Sequence, residues 1–389
     1  MRIGIDASNI RAGGGVTHLV ELLKAADPVA HKFTQVLLWS GQSTLSQIDD
    51  QPWLLKIHEP LLDRGLLYRL YWQRQRLSRL ARTGGCDVLF VPGGSFSGDF
   101  RPFVTMSRNM LPFEWRELVR YRNSWKFLRL MLLRWGQAGT FRKADGLVFL
   151  TEYAYNEVMQ VIRSIKGKSA IIPHGVDDVF LQRPRIQLKI DQYSYDNPFR
   201  VLYVSIVDLY KHQWQVAEAT FQLRKAGFPI ALDLIGPANP QALRRLQKTL
   251  HRIDPEGKFI RYRGAIPHRD LPTHYQRADL CVFASSCENM PNILLEGMAA
   301  GLPIACSNRG PMPEVLGDAG VYFDPENSHD IAAAIRTLIE SSSLRTEKAA
   351  AAFERVQAYS WGRCASELFE FFAEVVRVVS RNTVSKANI

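Results

Sequence analysis

Short apolar runs rich in β-branched residues recur along almost the whole chain, separated by longer stretches of helical periodicity. The clearest runs are 3–7, 34–38, 87–91, 146–150, 201–206, 231–235, 280–284 and 303–306. Apolar runs without alternation predict strands buried on both faces, and the helical stretches between them predict βαβ units, so the expected fold is α/β with parallel sheets. At 389 residues the chain is long enough for two domains, each with its own core. Between about 178 and 196 the pattern lapses into polar sequence with Tyr, Asp and Gln, which places an interdomain linker there. The expected division is 1–180 for the first domain, 197–358 for the second, and 359–380 for a terminal helix. That last stretch carries Trp361, Leu368, Phe369, Phe371 and Phe372, more apolar surface than a solvated tail keeps, so it should pack back towards the first domain.

The bulk properties narrow the function classes. Residues 1–6 run straight into a strand with no secretory pattern, and no apolar run is long enough to span a bilayer, so a cytoplasmic protein is expected. The five cysteines are scattered, without a Cys-x-x-Cys pair or histidines at zinc spacing, which favours reduced, mostly buried thiols and no metal centre. A net charge of +11 calls for an anionic partner, either a membrane surface, a nucleic acid or a phosphorylated substrate.

The most informative segment is 281–306, which reads as strand, loop, helix and strand. Asn289 or Asn292 suits the helix cap, Pro291 the first turn and Gly301 the residue past the end, while Pro303 blocks continuation. Glu288 then falls in a loop at the carboxyl end of a strand, where open parallel sheets bind ligands, and Glu296 about one turn into the helix. A lone glutamate would read as a structural ion pair or a solvated helix face. A carboxylate among Ile293, Leu294, Leu295 and Met298 needs partners, however, and the hydroxyls of a ligand would supply them.

This segment resembles the retaining glycosyltransferases of family four, whose signature is two glutamates separated by seven residues, a small-residue helix and a Gly-x-Pro turn, here Gly301-Leu302-Pro303. The resemblance implies the GT-B architecture, two Rossmann-like domains facing across a cleft, with the acceptor on the first and a nucleotide sugar on the second. It implies that Glu288 contacts the donor sugar near the reacting carbon and that Glu296 binds the ribose hydroxyls. The helix start, Asn289, Met290, Pro291, Asn292 and Ile293, would face the sugar and diphosphate with its backbone N–H groups, as helix N-termini do for anions. Residues 201–212 look like the family's first strand of the nucleotide domain followed by a lysine that grips the diphosphate. Lys211 is the residue for that role, although alone it reads equally as a surface lysine. Where the family often has an arginine just after this strand, Ser205 and Ile206 stand, so one phosphate contact is missing or comes from elsewhere, with Arg263 or Arg309 as the substitute; Ser205 is an expected donor contact.

The other matches are looser. Residues 171–177 resemble the family's linker motif with His174 in place of Asn, which points to hinge geometry. Residues 307–318 resemble a loop approaching the donor. In the first domain Gly13, Gly14 and Gly15 precede a helix expected at 16–24, and such glycines let the backbone approach a phosphate, with Gly14 and Gly15 the expected contacts. The alternative is a plain flexible loop, and the pattern is neither a dinucleotide-binding nor an ATPase fingerprint. The family's histidine near 105–114 is missing, and Arg108 and Asn109 occupy that region.

Two stretches, 66–79 and 115–135, are basic and aromatic together. They suggest peripheral attachment at the inner face of the membrane, against the alternative of core aromatics and solvated arginines. Nucleic-acid binding is disfavoured because no recognised motif accompanies the charge. The expected reaction is transfer of a hexose from a UDP- or GDP-linked sugar to a glycan or lipid-linked acceptor with retention, in cell-surface polysaccharide synthesis, with no cofactor and no metal. The rival is a non-catalytic sugar-nucleotide or anionic-glycan binding protein on the same fold.

Overall fold

The computed structural model describes residues 1–11 and 13–387, with side chains through 381. The chain forms two units, Met1–Gly175 with Tyr359–Ile389, and Val176–Ala358. It therefore leaves the first unit once and returns to it for the terminal helix.

The first unit is built on seven parallel strands, β1 (Arg2–Asp6), β2 (Gln35–Ser40), β3 (Leu54–His58), β4 (Val88–Val91), β5 (Phe103–Met106), β6 (Gly146–Phe149) and β7 (Lys168–Ile171). Their spatial order is β3-β2-β1-β4-β5-β6-β7. The second unit has six parallel strands, β8 (Phe199–Val204), β9 (Ile230–Ile235), β10 (Ile260–Tyr262), β11 (Leu280–Phe283), β12 (Ile304–Ser307) and β13 (Gly320–Phe323), in the order β10-β9-β8-β11-β12-β13. Both orders run outward one way from the first strand and then resume on its other side. The reversal lies between β1 and β4 in the first sheet and between β8 and β11 in the second, and each such point leaves a crevice at the carboxyl ends of the strands.

The central strands are buried along their length, as β4, β5, β6, β11 and β12 show, because helices cover both faces of each sheet. The helix Trp361–Ala387 completes the first unit. Its Phe372 ring lies 4.9 Å from that of Phe90 on β4, and Phe369 meets Phe33 edge-on at 6.0 Å.

The expected linker is a difference. Residues 181–196 are fastened to the second unit and the boundary falls at Gly175, not 180. Arg185 donates to Gln276 O and to the Asp279 carboxylate, Tyr193 donates its hydroxyl to the same carboxylate, and buried Arg345 reaches Leu188 O. The polar composition read as linker is thus a set of long-range anchors. Among the described residues no helix is long and apolar enough to cross a membrane.

Candidate active site

The loops after β8 and β11 meet at the switch point of the second sheet because their parent strands are paired neighbours. Ser286 N donates to Tyr210 O at 2.8 Å, the His212 ring lies 2.9 Å from Ser286 Oγ, and Tyr203 OH donates to Lys211 O at 2.7 Å. His212 sits in the left-handed region, φ 52°, and caps the helix Gln213–Lys225, which turns the chain so that Lys211 points inward.

Lys211 is 6 % exposed. Its ammonium is ion-paired with Glu288 Oε1, and it lies 5.1 Å from the Tyr210 ring and 5.3 Å from the Phe283 ring. The structure therefore brings together the two residues expected to touch the donor's diphosphate and sugar. Each needs the other, since a mostly desolvated charge left unpaired costs several kcal/mol. Burial first, and then the Glu288 carboxylate, push the phenols of Tyr203 and Tyr210 well above their ordinary range, so both stay neutral hydrogen-bonding groups.

Glu296 lies in the helix Asn292–Ala299, 6 % exposed among buried Leu294, Leu295, Met298 and Ala299. Its Oε2 accepts from Tyr275 OH at 3.1 Å and its Oε1 lies 3.3 Å from the ring of half-exposed His268. The carboxylate thus has protein partners of its own, where the sequence pointed to the hydroxyls of a ligand. Tyr275 and His268 come from the segment before β11, too far away in the chain for a local pattern to connect them. Burial, with a smaller contribution from Glu296, raises the Tyr275 phenol and holds the Cys281 thiol up at about 12.

The cap of this helix also differs. Pro291 is the capping residue itself, without a side-chain cap, and Asn292 is the first helical residue. The first internal bonds run from Leu294 N and Leu295 N to Pro291 O, so Asn292 N and Ile293 N open the positive end of the helix. Asn289 and Met290 are buried just before it. Gly301 follows the helix with φ 64°. A Cβ there would meet Gln182 O at 2.5 Å, so only glycine fits. Ser205 is buried just after β8. The substitute cations are already engaged, Arg263 with Asp233 at 2.8 Å and Arg309 with Asp324 at 3.1 Å.

In the first unit the glycines begin the helix Gly14–Ala25 instead of preceding it, and Gly13 caps it at φ 66°. Arg108, after β5, donates to Gly14 O at 2.9 Å, and burial lowers its pKa to about 10. Asn109 is turned to its own loop, accepting from Leu111 N. His18 went unremarked in the sequence. It is 2 % exposed and edge-on to Trp361 at 5.4 Å, with His174 stacked on the same indole at 5.6 Å. His174 is therefore core packing where the chain leaves the first unit. The one sequence signal for His18 was its place one turn into the glycine-led helix. Among the described residues no group of three His, Cys, Asp or Glu side chains could hold a metal ion.

With this geometry in place, the relatives are informative. Residues 12–180 match the family model described as Glycosyltransferase Family 4, and residues 198–341 match the one described as Glycosyl transferases group 1. The chain is 36 % identical over 109 residues to O-antigen chain mannosyltransferase B of Escherichia coli, covering 28 % of this chain and 29 % of that one. It is 24 % identical over 243 residues to glycogen synthase of Mycobacterium tuberculosis, covering 61 % and 56 %. These matches span less than two thirds of either relative's length. Sucrose-phosphate synthase from Thermosynechococcus elongatus superposes with a TM-score of 0.76 at 18 % identity, over 97 % of this chain and 100 % of that one. HepE of Anabaena, solved with UDP and glucose, gives 0.63 at 17 % identity, over 99 % and 100 %. Two parallel-sheet α/β units with these matches in both halves place the chain in the family-four glycosyltransferases, on the GT-B fold.

Proposed function

We propose that the protein is a glycosyltransferase enzyme that moves a hexose from a UDP- or GDP-linked sugar to a hydroxyl of a glycan or lipid-linked saccharide, with retention, in cell-surface polysaccharide synthesis. The observation that carries this reading is the Lys211–Glu288 pair, held at the β8–β11 switch point beside the open N-terminus of the helix Asn292–Ala299. A diphosphate docked there meets a cation and a helix dipole of the right sign without a metal. Lys211 would take charge from the departing diphosphate, Glu288 would hold the sugar, and Glu296, kept in place by Tyr275 and His268, would receive the ribose hydroxyls. Ser205 and the helix start at Asn289–Ile293 would be the further donor contacts, and Gly14 and Gly15 would meet the donor diphosphate or the acceptor.

In the transfer, the bond from the anomeric carbon to the β-phosphate oxygen breaks with its electron pair going to phosphate. The acceptor oxygen bonds to the same face of that carbon, and its proton passes to the departing phosphate. The name of the E. coli relative supports a polysaccharide product, and the nucleotide in the HepE structure supports a nucleoside diphosphate donor.

The test is a panel of nucleoside diphosphate sugars, read first as thermal stabilisation, since a ligand at a hundred times its Kd adds about 2.7 kcal/mol. The donor found is then used for turnover, with the product anomer read by NMR. Glu288→Ala should lose turnover far more than nucleotide affinity. A protein that binds the nucleotide sugar equally well with and without Glu288, and turns over none, is a binder and not this enzyme.

A further inference from the structure

The first unit carries a face whose polarity is inverted relative to a soluble surface. The helix Trp125–Lys143 buries Leu130, Gln137, Ala138, Thr140 and Phe141 and turns a different stripe outward. Trp125, Leu128, Leu132 and Trp135 are spaced three, four and three residues apart, which puts them on one side of the helix. They are 77 %, 45 %, 61 % and 74 % exposed. Polar or charged residues would be the ordinary occupants of such a stripe, and a contiguous row of apolar side chains marks a docking surface.

A second row lies close by. The helix Leu66–Trp72 leaves Leu66, Leu67, Leu70 and Tyr71 in solvent. Both helices belong to the first unit, and burial first, then repulsion from Arg11 and from Arg129 on the longer helix, lowers the pKa of Arg69 on the shorter one.

The charge around these rows says what covers them. Residues 64–82 and 115–143 hold fourteen Lys and Arg and one acid, Glu117, a surplus of thirteen. That exceeds the +11 of the whole chain, so these two segments carry its basic surplus, although Arg76, Arg82 and Arg120 are paired with Glu59, Asp99 and Glu117. Arg74, Arg79, Arg122 and Arg129 are exposed. Arg134 and Arg142 rest on backbone carbonyls of Pro112 and Ile162, contacts that leave their charge uncancelled. Beside Trp135 a recess of ≈ 400 Å³ opens between Arg134, Arg142, Ala138 and Val161.

We propose that this face docks on an anionic lipid bilayer, with the two apolar rows entering the headgroup layer and the arginines around them meeting lipid phosphate. Apolar side chains that stand clear of the surface, ringed by cations with tryptophans among them, match the depth profile of an interface: acyl boundary, then headgroup, then phosphate. A nucleic acid would use the charge and leave Leu66, Leu67, Leu128 and Leu132 without a role. A protein partner would have to be strongly acidic around an apolar centre. A second copy of this chain brings the same positive surplus and is repelled. The proposal is independent of the donor site, which lies in the other unit.

The experiment is co-sedimentation of the full chain with phosphatidylcholine vesicles and with vesicles containing phosphatidylglycerol, at 50 mM and 500 mM salt. Binding should require phosphatidylglycerol and fall at least tenfold at the higher salt. Arg74→Gln with Arg79→Gln should weaken it about 25-fold, about fivefold for each cation. Brominated lipid should quench tryptophan fluorescence, and Trp125→Ser with Trp135→Ser should remove most of that quenching. Both pairs are exposed, and an unchanged melting curve and unchanged nucleotide affinity confirm that the variants fold. Equal binding to the two vesicle types, binding insensitive to both variant pairs, tighter salt-sensitive binding to duplex DNA, or self-association abolished by the tryptophan pair would each overturn the proposal.

Discussion

Replacing Glu288 by Gln keeps the shape of the side chain and removes its charge, which separates two jobs that the carboxylate does at once. In the free protein Glu288 neutralises Lys211, whose side chain is 7 % exposed, while its own is 16 % exposed. Opposite charges about 4 Å apart attract by about 4 kcal/mol at an effective dielectric of 20, and solvent reaching the open side of the site and the cost of desolvation reduce this to about 1–2 kcal/mol. An incoming diphosphate has to draw the ammonium away from that partner. In E288Q it does not, so UDP or GDP should bind roughly five- to thirtyfold tighter, as measured by calorimetry. Turnover should move the other way, by about 10²–10³ in kcat, because the group proposed to hold the sugar as charge develops is gone. The free variant should melt lower than the wild type, with its ammonium left against an amide, and recover when saturated with nucleotide. Lys211→Met serves as the control and should weaken nucleotide binding and turnover together. If E288Q binds nucleotide more weakly than the wild type, the carboxylate assists the diphosphate instead of competing with it, and the reasoning fails.

Three further outcomes test the packing of the two units. Gly301→Ala forces a Cβ onto a φ of 64° and to 2.5 Å from Gln182 O, so it should cost about 2–4 kcal/mol in urea unfolding, and a loss below 0.5 kcal/mol would show that the turn adapts. Arg345→Met empties a fully buried position where the guanidinium caps the carbonyls of Leu338 and Ile339 at 2.5 and 2.7 Å and anchors Leu188, so a loss of about 3 kcal/mol or more is expected, along with proteolytic cutting near 188. Burial, with help from Arg108 and His174, lowers the pKa of His18 well below that of a free imidazole, so the folded state keeps it neutral while the unfolded chain protonates below about pH 6.5. Its contribution is present above that pH and is lost as the pH falls, by about 1.4 kcal/mol per unit, and His18→Leu should remove that share of the slope between pH 6.5 and 5.5. Equal slopes in the two proteins would refute it.

The strands that stood out in the sequence and those that did not differ in one physical respect. The runs near 87–91, 146–150, 280–284 and 303–306 became β4, β6, β11 and β12, all buried end to end, because a strand covered on both faces has to be apolar throughout. Four of the strands that were not singled out, β3, β7, β10 and β13, are the outer strands of the two sheets. Leu54–His58 and Lys168–Ile171 show half-exposed and exposed positions along their length, so their sequences carry charge and polarity that mask the pattern. Only β5 was overlooked despite full burial. Four residues, Phe103–Met106, are too short a run to stand out between polar neighbours. The supposed linker was misread for the related reason that composition reports polarity and not where a polar side chain is tied.

The same distinction governs the site. Glu288 and Glu296 were legible as candidates because a strand end and a helix start fall within one 26-residue segment, even though the cap is Pro291 and not an asparagine. Lys211 was legible only through the family resemblance, because its contact with Glu288 crosses 77 residues of chain and depends on β8 and β11 being paired neighbours. Tyr275 and His268, which hold Glu296, and Ser286, which locks His212, lacked any such signal, and they are the groups that turn two carboxylates into an oriented pair. A site of this kind is therefore written twice. Its charged groups appear in a compact motif, where desolvation makes any unpaired charge conspicuous, whereas its supporting hydroxyls and rings are set by strand order and come into view only when the sheet is assembled.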